Sequence, residues 1–271
     1  MKKLVTDIQK KKYEQLIKRY IPQSKNLVAT SDSILDCYKK LGVSRSRIHY
    51  VTNGVVLKNF KIRVNKKDEK KKNCIDAKAL TLISVGRNHI KKNYDLIIKI
   101  ASVLKSKSLF KFQFILVGKG VQELKKKINS LNLKQQFVLI ENLSSANLKN
   151  LYLPSKDLVK LYKISDIFIF PSVIESFGIA IIEAMAAGLP VIACKVPGSK
   201  DLIKNNTNGF LVDKNNVLEF VKTIVNIYNN RSLLNRIKKN SLETVRKFDW
   251  DRVSNNYINL YTKIIRETEI S

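Results

Sequence analysis

The sequence predicts an α/β protein built on a parallel sheet with helices on both faces. Three observations predict it. Apolar runs of five to eight residues recur along the chain, each bounded by turn signals, as strands buried on both faces require. Segments with apolar residues at helical spacing lie between them, and that alternation layers helices on a parallel sheet. Several runs end in loops that combine glycine with charged residues, at the strand ends where open α/β sheets gather ligands.

Taken in order, residues 6–20 read as a helix, 27–30 as a strand, 33–41 as a helix and 48–52 as a strand. Ser31 or Asp32 would cap the second helix and Gly42 would end it. Residues 54–78 follow, and their core, KIRVNKKDEKKKN, reads as a mobile, solvated linker. The next strand is 80–86 (LTLISVG), with Arg87 and Lys92 in the loop before a helix starting near Tyr94. Residues 112–117 form another strand, closed by Gly118-Lys119-Gly120. Ser165 and Asp166 precede strand 167–170, which stops at Pro171. A loop with Glu175, Ser176 and Gly178 then leads into a helix that is apolar on nearly every side and stops at Gly188. The last helix, 251–265, places Val253, Tyr257, Leu260, Tyr261 and Ile264 at helical spacing. The motifs divide the chain into 1–53, a linker 54–78, a main domain 79–249 and a terminal helix 250–271.

Residues 171–190, PSVIESFGIAIIEAMAAGLP, carry most of the functional information. A strand–loop–helix of this kind aims backbone N–H groups and the positive end of a helix dipole above the sheet, which makes an anion site. Glu183 is a carboxylate among Ala, Ile and Met neighbours, and such a group needs a donor. It is paired with a nearby Lys, or reaches solvent, or accepts two bonds from vicinal hydroxyls such as a ribose diol. Arg87 offers a bidentate fork and Lys92 a point charge, a combination that suits a diphosphate.

Together these segments resemble the donor-binding half of a glycosyltransferase family 4 enzyme. That family retains anomeric configuration and has two Rossmann-like domains, the GT-B fold. Glu175 and Glu183 match its paired glutamates, with seven residues between them. The resemblance implies that Arg87 and Lys92 clamp the diphosphate. It also implies that Glu175, Ser176, Phe177, Gly178 and Ile179 line the sugar and phosphate, and that Glu183 takes the ribose hydroxyls. Gly86 and Gly118 complete the implied donor-binding set, with Arg87, Lys92 and Glu175 as its catalytic members. The implied reaction moves a sugar from UDP or GDP to a saccharide or lipid-linked acceptor, in cell-envelope polysaccharide or glycolipid synthesis. No metal and no cofactor are implied.

The chain also departs from the family. Asn53-Gly54-Val55-Val56 stands where NGVD is usual, and Pro197-Gly198-Ser199-Lys200-Asp201 replaces G-G-x-x-E. Between Glu141 and Pro154 an insertion obscures the segment that would contact the nucleobase. His49 and His89 fall at no matching position and read as surface or packing residues. Residues 1–53 correspond only to the tail of an acceptor domain, the remnant of a second Rossmann-like unit. Its sheet edge is expected to be open, to lean on the main domain and last helix, and to invite a protein partner or self-association. A non-catalytic or split donor-binding subunit is therefore the alternative.

At 44% hydrophobic residues the chain can bury a core. It has no apolar stretch of membrane-span length, and its start, MKKLVTDIQKKKYEQ, lacks the apolar segment of a signal peptide. Cys37, Cys74 and Cys194 are odd in number and lack metal spacing, which suits reduced thiols in a cytoplasmic protein. The net charge of +29 is spread over faces that read as structural, so compositional drift is the leading explanation. Attraction to an anionic membrane surface stays open, most of all for the dense segments at 2–19 and 61–72. Neither segment interleaves aromatics with its charges, which argues against nucleic acid.

Overall fold

The computed structural model describes residues 7–141, 143 and 154–269. The expected insertion between Glu141 and Pro154 lies almost wholly outside them, as does the beginning of the basic segment at 2–19. The chain opens with α1 (Asp7–Tyr20), β1 (Leu27–Ala29), α2 (Asp32–Lys40) and β2 (Ile48–Tyr50). It continues through α3 (Lys66–Lys72), β3 (Leu80–Val85), α4 (Tyr94–Lys107), β4 (Phe112–Val117), α5 (Lys125–Ser130) and β5 (Phe137–Ile140). Then come α6 (Lys156–Ile164), β6 (Ile167–Phe170), α7 (Ile179–Ala186), β7 (Val191–Cys194), α8 (Pro197–Leu202) and β8 (Phe210–Val212). Helices α9 (Val217–Asn229), α10 (Arg231–Val245) and α11 (Trp250–Glu269) complete the chain.

The strands form a two-stranded sheet, β1-β2, and a six-stranded sheet in the order β5-β4-β3-β6-β7-β8, with every pair parallel. The larger order is that of a doubly wound sheet, whose direction of progress reverses between β3 and β6. Its strands are apolar on both faces because both are covered. One core gathers Leu96, Ile97 and Ile100 of α4 with Phe220 and Ile224 of α9 against Phe114 and Ile169. The other gathers Tyr162 of α6 with Ile181, Ile182 and Met185 of α7 against Ile83, Phe168 and Phe170.

Helix α7 ends as its glycine predicts. Leu189 N–H donates to the Ala184 carbonyl and Gly188 N–H to that of Met185, with Gly188 at φ +78°. This pair of bonds is a Schellman cap.

The expected solvated linker is instead partly folded, a correction to the sequence reading. Asn65 caps α3 by accepting from Lys67 and Asp68 N–H; Asp68 and Glu69 lie in its first turn and Lys70, Lys71 and Lys72 in its last. That order complements the helix dipole. Phe60 and Ile75 on either side are buried, and the Lys70 ammonium donates to the Ala79 carbonyl at 3.2 Å while its stem packs inward. A run of charges concealed two apolar anchors.

At the hinge, Val55 N–H donates to the Phe248 carbonyl and Trp250 N–H to that of Val55. A Cβ on Gly54 would stand 2.7 Å from the Trp250 ring, so the hinge needs glycine for close approach. Helix α11 then packs Val253 and Leu260 on Val51, with Tyr257, Ile264 and Val28 alongside. It thereby supplies apolar cover that two short strands lack.

Candidate functional site

Strands β3 and β6 pair through Leu82↔Ile167 and Ile83↔Phe168, so the loops leaving them share one crevice at the reversal of strand order. The β3 loop begins at Gly86, whose N–H continues the ladder to the Val117 carbonyl. Gly118 lies directly beside it, and any Cβ there would collide with the Gly86 carbonyl. Two glycines thus let the ends of β3 and β4 close up beneath the crevice.

The two loops are bound together. Val173 N–H donates to the Lys91 carbonyl at 2.9 Å, and the Lys92 ammonium meets Glu175 Oε2 at 2.7 Å. Lys92 also stands 5.0 Å above the Phe170 ring. Its side chain is 29% exposed and that of Glu175 17%, so solvent screens the pair only in part. His89 Nδ1 accepts from Lys91 N–H, and Asn93, at φ 50°, turns the chain into α4. Arg87 is exposed and has no hydrogen bond or ion pair among the described residues.

Glu183 lies on α7, the helix that follows the Glu175 loop. The Tyr162 hydroxyl donates to its Oε2 at 2.9 Å. Burial pushes the carboxyl from its ordinary 4.5 up to about 7, although the Tyr162 bond pulls the other way. Of the alternatives the sequence leaves open, pairing with a lysine is thus not realised among the described residues. Tyr162 is wholly buried between the rings of Phe60 and Phe168, and burial together with the facing acid holds its proton on. Tyr94 lies close enough to disfavour ionisation of Tyr162 further, and its own hydroxyl donates to the Gly86 carbonyl at 2.7 Å. Two tyrosine hydroxyls thus serve this region, one on the β3 loop and one on Glu183.

The structure therefore brings Gly86, Gly118, Lys92 and Glu175 together, while Arg87 follows Gly86 in the chain and Glu183 lies on the helix that leaves the Glu175 loop. Ser176 and Ile179 are exposed on the loop, and Gly178, at φ +99°, starts α7. Phe177 turns its side chain into the core. Its ring is buried edge-on to Phe248 at 5.8 Å, which leaves its backbone for a ligand.

Sequence reasoning missed Tyr162 and Tyr94, though the need of a buried acid for a donor was a signal for the first. It also missed Gly198, whose N–H donates to the Glu175 carbonyl, and Glu141, which accepts from Gly120 N–H at 2.6 Å. Among the described residues, no group of three or more His, Cys, Asp or Glu is placed to hold a metal ion. No described helix is long and apolar enough to cross a membrane.

This architecture is that of GT-B glycosyltransferases. A glycosyltransferase structure from Rickettsia africae matches with a TM-score of 0.81 at 21% identity, over 96% of this chain and 68% of that one. Anabaena HepE in complex with UDP-glucose matches at 0.78 and 18% identity, over 95% and 68%. The family model for glycosyl transferases group 1 matches residues 65–244, and the chain belongs to that family. A UDP-Gal:alpha-D-GlcNAc-diphosphoundecaprenol alpha-1,3-galactosyltransferase from Escherichia coli is 30% identical over 209 residues, 75% of this chain and 51% of that protein. A 41.2 kDa protein in the cps region of Klebsiella pneumoniae is 28% identical over 78% of this chain and 55% of its own length. The chain thus spans about half the length of these curated relatives.

Proposed function

We propose that the chain binds a UDP- or GDP-linked sugar in the β3–β6 crevice and serves its transfer, with retention, to a saccharide or lipid-linked acceptor. This places it in glycosyltransferase family 4, in cell-envelope polysaccharide or glycolipid synthesis at the cytoplasmic side. Residues 79–249 hold the donor, 1–53 form the acceptor side, 54–78 connect them and 250–271 cross back. The observation that carries the reading is the Lys92–Glu175 pair, which joins the β3 and β6 loops at the reversal of a doubly wound sheet.

Breaking the bond from the anomeric carbon to the diphosphate builds negative charge on the leaving oxygen. Arg87, Lys92 and the N–H groups of residues 176–178 stabilise it, and the step needs no metal. Such preorganised donors are each worth on the order of 3 kcal/mol in the transition state. Glu175 orients Lys92 and the sugar and is not assigned as a covalent nucleophile. Glu183, once ionised, accepts from the ribose diol with the lone pairs that Tyr162 leaves free. Isothermal calorimetry with UDP- and GDP-sugars tests this. Wild type is expected to bind one series, and Glu183→Ala and Arg87→Ala to bind it more weakly while remaining folded. Unchanged affinity in both variants would remove the site assignment.

The two-stranded N-terminal sheet, three residues to a strand, favours a second reading. In it the chain is a donor-binding subunit whose acceptor half comes from a partner docked on the open sheet edge. Transfer by the purified chain alone would exclude it. Attraction to an anionic membrane surface is proposed from the net charge of +29. Equal sedimentation with anionic and neutral liposomes would count against it.

A further inference from the structure

A second constellation joins the N-terminal segment to the crevice. Ser33 sits in the first turn of α2 and reaches across to the main sheet's loops. Its N–H donates to Asp201 Oδ2 of α8 at 3.2 Å, and its hydroxyl donates to the Ser176 carbonyl at 3.3 Å. Ser31 caps α2 by accepting from Ile34 N–H, and Asp201 adds a second acceptor from another element, at the helix end where a carboxylate is favoured. One turn earlier in α8, Gly198 N–H donates to the Glu175 carbonyl at 3.0 Å. A Cβ on Gly198 would stand 2.7 Å from Phe177 N and 2.8 Å from the Ser176 carbonyl carbon, so this peptide lies flat on α8.

The Ser176–Phe177 peptide is therefore held from two sides, by Ser33 on its oxygen and by Gly198 against its plane. A trans peptide points its C=O and N–H in opposite directions. Fixing the carbonyl toward α2 turns the Phe177 N–H away from α2, and that N–H has no partner among the described residues. Burial of the Phe177 ring fixes the other end of the residue.

We propose that Ser33 and Asp201 are positioning residues, which hold the Ser176–Phe177 peptide so that the Phe177 N–H stays free for an oxygen of the bound donor. This rests on the donor reading above and adds to it a contact made across the two sheets. The acceptor-side helix then sets the geometry of the donor loop, so movement between the two units is felt at the diphosphate. A cleft of about 280 Å³ beside the clamp, lined by Asp32, Tyr50, Lys247 and Arg252 as well as Asp201, leaves the carboxylate room to disengage.

The test compares Ser33→Ala, Asp201→Ala and Asp201→Asn in the full chain, by hydrogen exchange at the Gly198 amide, which donates to the Glu175 carbonyl of the loop, and by calorimetry with UDP and UDP-sugars. Ser33→Ala and Asp201→Ala are expected to speed exchange at this loop contact about tenfold, as the weakening of one hydrogen bond does. The six-stranded sheet is expected to keep its protection, and donor affinity to fall by a similar factor. Asn keeps an oxygen acceptor, so Asp201→Asn is expected to recover most of what Asp201→Ala loses. Unchanged loop exchange in both alanine variants would overturn the proposal, as would a loss of protection spread evenly over the whole sheet. Faster loop exchange in a chain that binds no nucleotide at all would refute the donor reading and leave the clamp standing.

Discussion

Replacing Glu183 with glutamine is expected to stabilise the protein at alkaline pH while it weakens donor binding. The folded-state pKa of about 7 lies above the ordinary 4.5 of a glutamate in an unfolded chain. Between those values the folded protein keeps a proton that the unfolded chain releases. Stability is therefore full below pH 4.5, falls as pH rises through the window, and levels off above about 7. At 1.36 kcal/mol per pH unit, ionising Glu183 inside the fold costs about 3 kcal/mol. A glutamine at this position would carry no such cost, and its amide oxygen can still accept from Tyr162. Urea unfolding of Glu183→Gln at pH 8 should thus show up to about 3 kcal/mol more stability than wild type, or roughly 6–12 °C in Tm. The two proteins should converge near pH 4. On the proposed function, donor binding has the opposite pH dependence, because a ribose diol needs the ionised acid. With an ionised fraction near one tenth at pH 6, wild-type affinity there should be about tenfold below its value at pH 8. Stability that is flat with pH in wild type, or a glutamine variant no more stable at pH 8 than at pH 4 relative to it, would refute the reasoning.

Other perturbations follow from the same geometry. Tyr162→Phe removes the bond that lowers the Glu183 pKa, so the midpoint of donor affinity against pH should move above 7; an unmoved midpoint would show that the bond is inert. Lys92→Met leaves the sheltered Glu175 carboxylate without its partner, which should cost about 1–2 kcal/mol in urea unfolding after allowance for partial exposure, and should lower turnover further. Stability and turnover both at wild-type level would contradict it. Gly198→Ala drives a methyl into the Ser176–Phe177 backbone; thermal melts should show about 1–3 kcal/mol of overpacking, with a parallel loss of donor affinity. Intact affinity would mean that the loop does not depend on α8.

The doubly wound sheet was legible because its strands are buried on both faces, and such runs as LTLISVG and IFIF read as strands without help from tertiary context. The meeting of Lys92 and Glu175 was legible because both lie in loops that leave neighbouring parallel strands. What escaped detection was carried by pairs far apart in the chain. Tyr162 is the one aromatic of α6 and reads as an ordinary core residue of an amphipathic helix, and only the fold sets it against Glu183. Ser33 and Asp201 are separated by 168 positions, and each alone looks like an ordinary turn or surface residue. Helix α3 escaped for a different reason: its charge run dominates the local composition, while Phe60 and Ile75, which anchor it, lie outside the run.

On the proposed function, the charges of Arg87, Lys92 and Glu183 divide into a group that is ready for a donor and a group that must change state. Arg87 is exposed and unpaired among the described residues, so it can meet a diphosphate without giving up a contact. Lys92 already has Glu175 at 2.7 Å, but an ammonium has three donors and can add a phosphate oxygen while keeping the carboxylate. Glu183 differs, because near neutral pH it must lose a proton before it can accept fully from a ribose diol. On the proposed function, donor binding below about pH 7 therefore releases close to one proton, and binding above that pH releases none. Calorimetry in buffers of different ionisation enthalpy measures that number directly. A value near zero at pH 6 would separate Glu183 from the ribose, even if Arg87 and Lys92 prove to hold the diphosphate.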